Sequence, residues 1–114
     1  MMTWNVVFHI DEVMKWPLVL GNIKNFIHEM GDRPYQIDVV VNAEAVLCVW
    51  EKEWQIDKEV QTLSEQSVRF DFCKKALKGN HIPASALPRA VQMVPSGILR
   101  VVELQMDGYA YVKP

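Results

Sequence analysis

The chain has 114 residues, of which 50% are apolar and 23% charged, the balance of an ordinary globular protein and far from disordered or collagenous compositions. That length suits one compact domain, so a single core spanning residues 1–114 is expected. A formal net charge of -2 lacks the positive field that nucleic acids and anionic membranes require, and no apolar run approaches the roughly 20 residues that cross a bilayer, so neither partner is expected.

The opening MMTWNVVFHID has neither the basic start nor the small-residue cleavage site of a signal peptide, which makes a cytoplasmic location the expectation. Trp4 to Ile10 is a β-branched-rich apolar run ending at Asp11 and reads as a first buried strand. From Val13 onward, Leu18, Val19, Ile23, Phe26, Ile27 and Met30 recur at helical spacing, with Pro17 tolerated in the first turn and Gly31 closing the end. The turn Gly31-Asp32-Arg33-Pro34 leads to a second strand over Tyr35 to Val41, ending at Asn42. Ala43 to Trp54 reads as a helix with Val46, Leu47, Val49 and Trp50 inward, and Asp57 to Gln66 as its continuation or a new helix.

Val68 to Phe72 forms a short third strand followed at once by Cys73, then one or two helical turns over Lys74 to Lys78, stopped by Gly79-Asn80. Pro83 and Pro88 bracket a short helical stretch from Ala84 to Leu87. Val91 to Val94 is a fourth strand, Pro95-Ser96-Gly97 its loop, Ile98 to Met106 an amphipathic helix, and Tyr109 to Val112 a fifth strand. Strand and helix alternate throughout, and several strands are nearly continuous apolar runs. The expected fold is therefore a three-layer α/β/α sandwich with a mainly parallel five-stranded sheet. Right-handed crossovers gather the strand C-termini on one edge, where ligands of open α/β sheets bind. His9 to Glu12, Asn42 to Glu44, Cys73 to Lys75, Pro95 to Gly97 and the tail after Val112 reach that edge.

Cys73 is the leading chemical candidate: a thiol at the start of a helix and flanked by Lys74 and Lys75 is biased toward the nucleophilic thiolate. A buried packing cysteine is the competing reading. Cys48 lies among Val46, Leu47, Val49 and Trp50, an apolar setting that raises a thiol pKa, and reads as packing. His9 and Asp11 would share a face if the strand continued, either as a proton-shuttling pair or as a core histidine beside a helix cap. Asn42 divides between a cap and an amide facing substrate. Pro95-Ser96-Gly97 divides between a cap and an anion or oxyanion site. The histidines and cysteines have no paired zinc-type spacing, so neither a metal nor any other cofactor is expected. GxGxxG, Walker and nucleophile-elbow signatures are missing, which weighs against the common nucleotide-binding and hydrolase classes. Four tryptophans with Met14, Met30, Met93 and Met106 exceed what a small monomer needs; core packing accounts for most of that surface, and some of it is expected to meet a partner subunit.

The segments VVFHID, VVVNAEAV, FDFCKKALKGNHI and VQMVPSGILRVVELQMDGYAYVKP together resemble small stand-alone members of the DsrE/DsrF-like family, which has the YchN-like fold. The resemblance implies a parallel-sheet α/β/α domain that assembles into trimers or hexamers, in a family several of whose members carry sulfane sulfur as a cysteine persulfide. It implies that Cys73 is the acceptor cysteine. It also implies that His9, Asp11, Asn42, Pro95, Ser96 and Gly97 line its pocket, with Lys74 beside the thiol. Two functions follow as expectations: sulfur relay between a donor and an acceptor protein through Cys73, or a noncatalytic oligomeric module binding a small ligand or anion.

Overall fold

The computed structural model describes residues 2–114. Its five strands are β1 (Trp4–Ile10), β2 (Tyr35–Val41), β3 (Val68–Cys73), β4 (Gln92–Val94) and β5 (Ala110–Val112), all parallel and in the order β4-β3-β2-β1-β5. The helices are α1 (Trp16–Met30), α2 (Ile56–Ser64), α3 (Lys74–Gly79) and α4 (Gly97–Met106). From β1 to β4 each connection steps one strand in the same direction. Right-handed crossovers therefore place α1, α2 and α3 on one face. The β4-to-β5 connection runs back across the whole sheet, which puts α4 alone on the opposite face. The three-layer sandwich follows directly from that reversal.

The two faces are built from alternate residues of the same strands. Val6, Phe8 and Ile10, Ile37, Val39 and Val41, and Val68, Phe70 and Phe72 meet the side of α1, α2 and α3, where Trp16, Val19, Ile23, Val60, Leu63 and Leu77 join one apolar core. Trp16 stacks on Phe70 and Phe72, with ring centroids 6.3 Å away in each case, and its indole N–H donates to the Ala45 carbonyl at 2.8 Å, so its one polar atom is satisfied. On the α4 side, among the described residues, Val7, Val40, Val101 and Leu104 form the buried apolar cluster.

Most element ends fall within one or two residues of the sequence expectation, and two segments differ from it in helix type. Val13–Lys15 is a 3-10 turn, and the α-helix starts at Trp16, with Pro17 in its first turn. More substantially, Ala43–Trp50 is a 3-10 helix, followed by a second over Lys52–Trp54, rather than α-helix. Ala43 stands at φ 49 and Gln55 at φ 48, left-handed residues at either end that interrupt α continuity. Within the segment Ala45, Val46 and Cys48 are buried.

Candidate functional site

Neighbouring strands whose connections leave toward opposite faces open a crevice at their C-terminal ends. In this sheet those strands are β3, which feeds α3, and β4, which feeds α4. Cys73 ends β3 and pairs with Val94, the last residue of β4, so the thiol and the Pro95-Ser96-Gly97 loop flank the crevice. Strand alternation aims Phe72 into the apolar core and Cys73, like Asp71, toward α4. A methyl group on Gly97 would lie 3.2 Å from Cys73 Cβ, 3.1 Å from Asn42 Cγ and 3.2 Å from Asn42 Oδ1. Glycine is what allows the start of α4 to settle between those two side chains.

Sequence reasoning assigned the activating helix terminus to α3, but that helix is six residues long and Cys73, at its N-cap position, makes no capping bond. The ten-residue α4 instead brings its N-terminus beside the thiol. Ser96 caps it, accepting the Leu99 N–H at 3.2 Å, while the Gly97 and Ile98 N–H groups have no partner within the helix. Asn42 is also a cap: its side-chain oxygen accepts the Ala43 N–H at 2.9 Å, and its own N–H donates to the Ile10 carbonyl at 2.9 Å. The thiol is only 4% exposed, against the open position that a sulfur acceptor needs. Cys48 is buried too, and burial followed by the charge of Asp57 pushes its thiol pKa up, consistent with packing.

His9 and Asp11 form a second group at the β1–β5 side of the same edge. His9 pairs with Val40, which pairs with Asp71, so β2 stands between the histidine and the cysteine strand. His9 Nδ1 is 2.8 Å from the Tyr111 hydroxyl, while its Nε2 is buried without a partner. Burial first, then the positive charge of Lys113, lowers the His9 pKa, opposed by Asp11. Asp11 does not cap the following turn; it holds Lys113 Nζ at 2.7 Å, and that bond lowers its own pKa. Lys74 is exposed and lines a separate surface hollow of about 280 Å³ with Leu77, Ile82 and Met93. Thus Cys73, Asn42, Ser96 and Gly97 come together around the start of α4, with Pro95 adjoining them in the chain.

A family model described as the DsrE/DsrF-like family matches residues 18–114. The chain belongs to that family. Among solved structures, this DsrE/DsrF-like chain is similar to a protein of unknown function, MTH1491 from Methanobacterium thermoautotrophicum, at 29% identity and a TM-score of 0.85 over 97% of this chain and 99% of that one. No curated protein matches the sequence. Among the described residues, no helix is long and apolar enough to cross a membrane.

Beneath α4 lies a charged cluster that the sequence reading did not single out. Asp38 of β2 and Asp71 of β3, 2% and 0% exposed, both receive Arg100 of α4, at 3.2 Å from Nη2 and 3.1 Å from Nε. Arg69 Nε adds a 2.6 Å bond to the second Asp71 oxygen. Asp38 Oδ1 is buried and faces no donor. Burial foremost, then the hydrogen bond and charge of Asp71, push the Asp38 pKa up to about 8. The signal was present in the sequence as single acids interrupting the apolar strands YQIDVVV and VRFDFC, since a buried acid requires a cation or a proton.

Proposed function

We propose that this chain is a sulfur carrier of its family's relay chemistry, with Cys73 as the acceptor. The observation that carries the reading is the placement of Cys73 at the β3–β4 switch point, against the N-terminus of α4 and beside the Asn42 amide. In the proposed step the Cys73 thiolate attacks the outer sulfane sulfur of a donor persulfide. A bond forms between Cys73 Sγ and that sulfur, the donor S–S bond breaks, and the donor leaves as a thiolate. Attack by an acceptor-protein thiolate on the new outer sulfur then returns Cys73 to its starting state, with no net oxidation. Helix N–H groups are suited to stabilise the anionic sulfur, and a reducing, cytoplasmic setting keeps the thiol available.

The working form in this reading is a homo-oligomer, a trimer or hexamer. The outward side of α4 supports it, for Ile98, Leu99, Val102 and Met106 are all exposed apolar side chains on one short helix. Intact-mass spectrometry after polysulfide treatment tests the carrier role. Gain of one sulfur atom by the wild type and by Cys48→Ala, but not by Cys73→Ala, is the expected result. No gain, or a gain lost only with Cys48→Ala, would overturn it in favour of a noncatalytic ligand-binding module.

A further inference from the structure

The exposure of Cys73 conflicts with the role proposed for it: a thiol that trades sulfur with other proteins must be reached, yet this one is 4% exposed, with the start of α4 over it. What holds α4 down is unusual. Its buried residues besides Gly97 are Val101 and Leu104, and the apolar outer side, assigned above to subunit contact, does not hold it to the sheet. Its polar attachment is Arg100, one helical turn beyond Gly97, bonded to Asp38 and Asp71 on two adjacent strands. Asp71 is in turn two residues before Cys73 on the same side of β3. One guanidinium therefore ties the helix whose start covers the thiol to both β2 and β3.

We infer that Arg100 with the Asp38–Asp71 pair is a latch that positions α4 over Cys73, and that its release lifts α4 to expose the thiol. The inference rests on the carrier reading of Cys73 only for its purpose; the latch itself stands on the geometry. Among the described residues, the groups facing Asp38 are Asp71 and Arg69 from β3, Arg100 from α4, with Glu103 lying 3.7 Å from its Nη1, and the Tyr109 phenol beyond the helix end. From β1 the register partner of Asp38 is Val7, which offers no charge. A proton on Asp38 Oδ1 gives that unpartnered atom a donor role toward Asp71 and removes one of two buried like charges. When α4 lifts, water reaches Asp38, its acidity returns toward that of an ordinary carboxyl group, and the proton leaves to solvent. The open state is then favoured increasingly as pH rises from the ordinary carboxylate range to about 8, and no further above it. Arg100 is a positioning residue in this scheme, acting on Cys73 through the helix.

The test is iodoacetamide labelling of the full-length protein, with the two cysteines resolved by peptide mass spectrometry, in wild type, Asp38→Asn, Arg100→Gln and Arg100→Lys. Cys48, buried against the other face, is the internal control: local release of α4 labels Cys73 alone, whereas global unfolding labels both. Arg100→Gln is expected to speed Cys73 labelling about tenfold at neutral pH with Cys48 unchanged, and Arg100→Lys to restore part of the protection. The ratio of wild-type to Asp38→Asn rates, in which thiolate ionisation cancels, should climb by up to about tenfold per pH unit through the mildly acidic and neutral range, then level off near pH 8. Cys48 labelling in step with Cys73, or a ratio independent of pH, would overturn the latch. Because labelling involves no sulfur transfer, loss of the carrier role with this pattern intact would leave the latch standing, and the reverse outcome would leave the carrier.

Discussion

The two faces of one sheet are held to their helices by different physics. Among the described residues, twenty-one buried apolar residues interlock toward α1, α2 and α3, including Phe70 and Phe72 under Trp16; toward α4 four do, beside a buried charged cluster. Apolar packing is non-directional and indifferent to pH, whereas ion pairs and shared protons have direction and titrate. The contrast suggests a division of labour in which the broad core keeps the sheet rigid while the thin side retains the capacity to move, and the candidate chemistry stands on the thin side.

The largest expected effect that could break this comparison is on the broad side. Phe72→Ala should cost about 3–5 kcal/mol of unfolding free energy by chemical denaturation, whereas Leu104→Ala should fall near the lower end of the usual range of about 2–5 kcal/mol because α4 can settle toward the sheet. Equal losses would mean that the two sides are equally rigid. An intermediate effect sharpens the charged half. The folded Asp38 pKa, about 8, lies above its unfolded value of 3.8, so the native state binds the extra proton between those values. Its contribution is complete below about pH 3.8 and is lost as pH rises through 8. Denaturation measured from pH 5 to 9 should show stability falling by up to about 1.4 kcal/mol per pH unit from this group alone, with a flatter profile in Asp38→Asn; a wild-type slope unchanged by the substitution would place the proton elsewhere. The smallest effect is outermost: Val102→Glu should change the stability of a single subunit by no more than about 0.5 kcal/mol, yet shift an oligomer toward monomer in light-scattering mass measurements. An unaltered oligomer mass would free that helix side of any role in assembly.

The broad side was the more legible in the sequence. Strands rich in apolar residues such as WNVVFHI and YQIDVVV, and the helical recurrence of Val19, Ile23 and Met30, express burial directly in residue type, and those elements lie where the pattern puts them. The family resemblance of the cysteine and Pro-Ser-Gly segments led to the family that the chain belongs to. Ala43–Trp50 was less legible because a short apolar run looks the same at three or 3.6 residues per turn, and what decides between them is the left-handed backbone at Ala43. At the site, periodicity brings Cys73 to the end of its strand, but it carries no record of which helix terminus arrives beside it. That depends on the long return connection from β4 to β5. The Arg100 contacts join residues 29 and 62 positions apart, a separation at which only the acids within the strands hinted that a cation had to exist. Tyr111 and Lys113, which hold His9 and Asp11, were hidden for the same reason.

The Asp38–Asp71–Arg100 cluster also bears on descent. Removing Arg100 or Asp71 from this buried set strands its charged partner at a cost of about 3–5 kcal/mol, while replacing the whole set with well-packed apolar residues can be neutral or better. Single steps away from the present arrangement are therefore steeply uphill even though a different arrangement is thermodynamically accessible. Lineages of this chain should keep the trio together or exchange it together, so that these three positions, far apart in sequence, are inherited as one character.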